Sequence, residues 1–147
     1  MSRNRARPLS PHLTIWRWGP HMLVSILHRA TGTAMAIGGG VILIWWLVAL
    51  ASGPDSYARF IDLMTHNPPI GPDGMPMGPA RLNWLPALVL VGLSWSFFQH
   101  MLSGLRHFVM DIGAGYELKT NKSAAIATIL GSLILTVLFW AVILARG

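Results

Sequence analysis

The chain has 147 residues, 53% apolar and only 11% charged, where soluble domains carry about 45–50% and about 25%. With a mean hydropathy of +0.53, that balance excludes an ordinary soluble fold and assigns the apolar surface to a bilayer. Eleven Lys and Arg against five Asp and Glu leave a net charge of +6, which in a membrane protein belongs with cytoplasmic loops and anionic lipid rather than nucleic acid.

The absence of cysteine excludes disulfides, a Cys-ligated zinc site and an iron–sulfur cluster held by this chain alone. Ligands for a metal must therefore come from six His. Residues 1–19 carry Arg3, Arg5, Arg7 and Arg17, interrupted by Pro8 and Pro11, with no apolar stretch of the kind a secretory signal needs. An Arg-rich, acid-free arm also fits a leftover transit peptide, but Trp16 and Trp18 favour an arm anchored at the headgroup level ahead of a helix.

Pro20 suits the first turn of a helix, and the apolar run to Leu50 contains no further Pro. The predicted architecture is an all-α membrane protein of one domain, with three transmembrane helices over about 20–50, 85–110 and 122–145. Between the first two, Tyr57, Phe60, Ile61 and Met64 recur at the spacing of a short amphipathic helix lying along the interface. The Pro- and Gly-rich stretch 66–84 is predicted to be an irregular exposed loop. The link before span three is short and polar, with Asn121 or Ser123 available as its cap. Four basic residues in the arm and three around the second link (Arg106, Lys119, Lys122) outweigh two in the first loop and one at the C-terminus. The N-terminus is thus expected on the cytoplasmic or matrix side.

Two polar stripes interrupt the apolar spans. Trp18, Met22, Ser25 and Arg29 follow i, i+4, i+7 and i+11, with His28 and Gly32 beside them. An Arg inside a membrane helix costs about 2.5–3.5 kcal/mol on insertion scales and usually turns towards a partner, a cavity or a ligand. The alternative is snorkelling, since Arg29 lies only about 13 Å along the helix from Pro20 at 1.5 Å per residue.

In span two, His100, Gly104, His107 and Asp111 share the same spacing, bordered by Arg106. A neutral imidazole there can ligate a metal, and Gly104 leaves room for a flat macrocycle against the helix. The alternative is a His100 hydrogen bond to a hydroxyl or carbonyl of a neighbouring helix. His100 lies deeper than His107 and is the better candidate ligand. The opposite directions of the two spans bring Ser25, His28 and Arg29 to about its depth. His12 and His66 are read as surface residues.

RPLSPHLTIW at 7–16, SILHRATG at 25–32 and HMLSGLRHFVMD at 100–111 resemble the cytochrome b subunits of succinate dehydrogenase, the larger membrane anchors of respiratory complex II. Trp16, where the family more often has Tyr, and the long loop at 66–84 depart from its pattern. The resemblance implies a non-catalytic subunit that, with a second small membrane-anchor subunit, holds a flavoprotein and an iron–sulfur subunit on the membrane. It implies haem b with His100 as one axial ligand and the other from the second anchor, and a ubiquinone pocket with Ser25 and Arg29. His28 and Arg29 would lie near the haem propionates, and Trp18, Met22 and Ile26 would form the apolar wall. A bacterial inner membrane is the expected location. A quinol:fumarate reductase anchor and a non-redox structural anchor are the competing readings.

Overall fold

A computed structural model describes residues 17–67, 69–75, 77–78 and 81–146. The motif at 7–16, with His12 and Trp16, lies outside the described residues, as does the arm carrying Arg3, Arg5 and Arg7. Helices α1 (Pro20–Ala34) and α2 (Gly40–Ala51) are joined through a π-helical turn, Met35–Gly39, into one continuous span. Helix α3 (Pro54–Met64) follows, then the short strands β1 (Thr65–His66) and β2 (Arg81–Leu82), α4 (Trp84–Asp111) and α5 (Leu118–Arg146). Three apolar helical segments of 28 to 32 residues each exceed the ~20 residues a crossing requires. The chain is an integral membrane protein of all-α architecture.

The start of α1 follows from its sequence: Gly19 is extended (φ −143°) and Pro20 opens the helix, where its missing N–H costs nothing. Trp18 therefore precedes the helix, and the i, i+4 spacing does not set its direction as the sequence reading assumed. The π-helical turn falls at Met35–Gly39, beside the run Gly38–Gly39–Gly40. Successive glycines hold helical geometry weakly, so an extra residue is accommodated there, and the face presented by α2 is rotated relative to α1.

Gly53, at φ +99°, turns the chain out of the first span into α3, a backbone conformation that a side chain would strain. Helix α3 lays Phe60 against Trp45 edge-to-face, with ring centroids 4.9 Å apart, while Tyr57, Ile61 and Met64 are half-buried on the same side.

The loop after α3 begins and ends in regular structure. Strands β1 and β2 pair antiparallel, Thr65 opposite Leu82 and His66 opposite Arg81, and close its base. Asn83 Nδ2 donates to the Leu63 carbonyl at 2.7 Å. Within the loop the Gly74 N–H donates to the Gly71 carbonyl at 2.9 Å across Pro72 and Asp73, making a turn, while the ordinary residues at the base supply the ladder. At the other link, α5 starts at Leu118, and the Asn121 N–H is bonded to the Glu117 carbonyl (2.8 Å). Asn121 and Ser123 thus sit within the first turns of α5 and are not its cap.

The interior where α1, α4 and α5 meet is polar and small, and the exterior is apolar. Among the described residues the buried positions include Thr31, Ser96, Gln99, Ser103, Thr128, Ser132 and Thr136, beside Val24 and Ala125. This inversion is what a bilayer solvent demands: lipid is as apolar as leucine, so helices associate through small residues and hydrogen bonds.

Ser132 is the hub of the interior. Its hydroxyl accepts from Trp95 Nε1 (3.2 Å) and lies 2.8 Å from both Gln99 Oε1 and the Ile129 carbonyl, to only one of which its single proton can be given. Ser132→Ala would strand the Trp95 and Gln99 groups. It is expected to lower stability by about 0.6–1.7 kcal/mol, the range found for interhelical hydrogen bonds in membranes. Denaturation of the detergent-solubilised protein measures it.

Candidate functional site

The second-span stripe and the first-span stripe meet. The His28 ring of α1 stacks on the His100 ring of α4, with centroids 3.9 Å apart and planes 9° from parallel. His107, one further turn pair along α4, approaches the His28 ring edge-on at 5.3 Å. It is half-buried, packed more closely than its position near the end of the span suggested. His28 is thus flanked by both histidines of α4. Its Nδ1 is buried and has no hydrogen-bond partner among the described residues.

His100 is held on three sides. Its Nδ1 lies 3.0 Å from the backbone carbonyl of His28, so the Nδ1 proton is donated there. The Thr31 hydroxyl, which donates to the Leu27 carbonyl at 2.7 Å, lies 3.5 Å from the same nitrogen. Gly32 faces the ring from one turn beyond His28: a Cβ at that position would fall 2.8 Å from His100 Cε1.

The carbonyl bond is what the alternative sequence reading of His100 required, but it accounts for Nδ1 only. With Nδ1 protonated, Nε2 carries the free lone pair, and a ring N–H fixed to a carbonyl is the usual support of a metal-ligating imidazole. Gly104 leaves the space beside His28 open, where a Cβ would lie an ordinary 4.0 Å from His28 Cε1. The three rings do not converge on one point, and among the described residues no group of three His, Cys, Asp or Glu could hold a metal ion.

The remaining candidates lie around this cluster. Ser25 and Arg29 are exposed on α1, on the flank next to His28, and Met22 is half-buried there. Among the described residues neither the Ser25 hydroxyl nor the Arg29 guanidinium has a hydrogen-bond partner. Trp18 and Ile26 are 56% and 43% exposed, so the face expected to wall a pocket is open in the isolated chain.

Asp111 is exposed at the end of α4. Arg106 turns from the stripe towards α5, where its guanidinium donates to Asn121 Oδ1. His66 is exposed in β1. The sequence reading passed over Thr31 and the His28 carbonyl. Thr31 could have been found as the polar residue one turn beyond Leu27, whereas a backbone acceptor leaves no trace in the sequence.

A cavity of about 480 Å³ lies elsewhere, between α2, α3 and the start of α4, and is lined by Ile42, Trp45, Met64, Trp84 and Val89 with Asn83. It contains no titratable side chain and offers no ligand chemistry comparable to the histidine cluster.

Fold and site together define a three-span membrane subunit with paired imidazoles between its first two spans. Residues 3–139 match the family described as succinate dehydrogenase/fumarate reductase transmembrane subunit, and the chain belongs to that family. It is 35% identical over 132 residues to the succinate dehydrogenase cytochrome b556 subunit of Paracoccus denitrificans, covering 90% of this chain and 88% of the relative. The Rickettsia conorii cytochrome b556 subunit is 31% identical, covering 91% and 90%. The mitochondrial cytochrome b560 subunit of Sus scrofa is also 31% identical, covering 90% of this chain and 66% of the relative.

Proposed function

We propose that this chain is the haem b- and ubiquinone-binding membrane anchor of a succinate:ubiquinone oxidoreductase in a bacterial inner membrane. The observation that carries the reading is His100: its Nδ1 is tied to the His28 carbonyl at 3.0 Å, leaving Nε2 as the ligating nitrogen. The residues fit a haem. The orphaned Nδ1 of His28 supplies a polar group for a propionate, Arg29 supplies a charge for one, and Gly104 keeps the helix surface low. When bound, haem b supplies a one-electron site inside the bilayer. His28 and His100 lie face to face, so in this reading His100 alone would hold the haem iron from this chain and His28 would serve a propionate. The second axial ligand comes from the second small anchor subunit.

Ser25 and Arg29 supply a hydroxyl and a fixed cation on one face, the groups needed to hold the carbonyl oxygens of a quinone as it gains electrons and protons. Met22, Ile26 and Trp18 provide the apolar side. The iron–sulfur clusters come from the iron–sulfur subunit, since this chain has no cysteine to hold one, and the flavin comes from the flavoprotein subunit. With its N-terminus on the cytoplasmic side, the Ser25–Arg29 face opens where the iron–sulfur subunit docks. The relatives named above, at 31–35% identity, carry the succinate dehydrogenase name, which favours that direction over fumarate reduction.

A dithionite-reduced minus oxidised spectrum of the complex purified through this subunit tests the proposal. A b-type Soret band is expected, and a complex without one would return the histidines to packing. Expressed without partners, the chain should retain little haem, because half of the ligand sphere is missing.

A further inference from the structure

Resting on that reading of His100, we infer that Gly32 is a positioning residue that sets the orientation of the His100 imidazole. His28 and Gly32 are one turn apart on α1, and the His100 ring occupies the space between their positions. One face of the ring lies on His28, with centroids 3.9 Å apart. A Cβ at Gly32 would stand 2.8 Å from Cε1, closer than Cβ atoms come to a neighbour, and 3.2 Å from Nδ1, a tight contact, so a side chain there must displace the ring. The ring has no easy retreat, because its Nδ1 is bonded to the His28 carbonyl and its face is covered by the His28 ring.

Helix propensity by itself favours alanine over glycine inside a helix, and α1 is α-helical through Gly32 with no positive φ there. Gly32 is therefore not explained by its backbone conformation. What it supplies is the close approach of α1 to an imidazole that must keep one plane and one hydrogen bond. Ligand orientation and the hydrogen bond to the distal ring nitrogen are the levers by which a protein tunes a ligated iron.

The experiment is Gly32→Ala in the complex assembled with all its subunits, read by the visible spectrum and low-temperature electron paramagnetic resonance of the low-spin signal. An assembled complex with a shifted low-spin signal, or with part of it converted to high spin, is the expected result. A wild-type signal overturns the inference. If Gly32→Ala does not accumulate, Gly32→Ala with His28→Ala opens the stacked side. That variant is then expected to accumulate with a signal that differs from that of His28→Ala alone, and its failure to accumulate or a signal identical to that of His28→Ala overturns the inference. His100→Leu in the same experiment separates the two levels. Retention of the wild-type signal in His100→Leu removes the ligand assignment and the role of Gly32 with it. Loss of the signal in His100→Leu with no change in Gly32→Ala removes the role of Gly32 alone.

Discussion

His100→Leu is expected to abolish the low-spin b-type spectrum of the assembled complex, the largest spectroscopic effect of any single substitution in this chain. Leucine fills much of the imidazole volume but has no lone pair, so one axial position is lost while the contact with α1 is largely kept. His28→Leu provides the informative contrast. The group that orients His100 is the backbone carbonyl of residue 28, 3.0 Å from Nδ1, and a side-chain substitution leaves it in place. His28→Leu should shift the spectrum through the lost stack and the lost propionate partner, yet preserve low-spin character. His107→Leu, which touches His28 at 5.3 Å and His100 only through it, should have the smallest effect of the three. Equal loss of low-spin character in His28→Leu and His100→Leu would show that the second axial ligand is in this chain after all.

Arg29→Leu is expected to depress succinate-driven ubiquinone reduction by about tenfold or more, since a hydrogen bond to a charged group is worth about 1.5–3 kcal/mol. Ser25→Ala, which removes a neutral hydroxyl, should cost about 2- to 10-fold on the same reasoning. Succinate oxidation by an artificial acceptor that takes electrons upstream of the quinone should stay near normal in both variants. Arg29→Lys should restore activity only in part, because an ammonium is a point charge and cannot reproduce the planar fork of a guanidinium. A parallel fall in both assays would place these residues in the docking of the catalytic subunits. Unchanged rates would make Arg29 a snorkelling side chain, which its exposed position on α1 also permits.

Much of this protein is legible in one dimension, for a physical reason. A bilayer forces long apolar helices, so composition and Pro punctuation locate the three spans, and the cost of a polar residue in lipid makes each intramembrane His and Arg conspicuous. Helical periodicity likewise places His100 with Gly104 and His107, and Ser25 with Arg29, because i, i+4 and i+7 positions share a face wherever the helix is regular. It misled at Trp18, which precedes the helix, and it gave no warning of the π-helical turn at Met35–Gly39.

Only the tertiary structure decided how the two stripes engage. Stacking of His28 on His100, the bond from His100 Nδ1 to a main-chain carbonyl and the close approach at Gly32 depend on the distance and rotation between α1 and α4. Those follow from how the three spans pack around the polar interior, with Gln99, Ser103 and Ser132 buried in it. Side-chain spacing along one helix contains no information about its rotation against another, and backbone acceptors have no sequence signature. The sequence therefore determined which residues could serve the site, and the packing of the helices determined which nitrogen of His100 is left free to serve it.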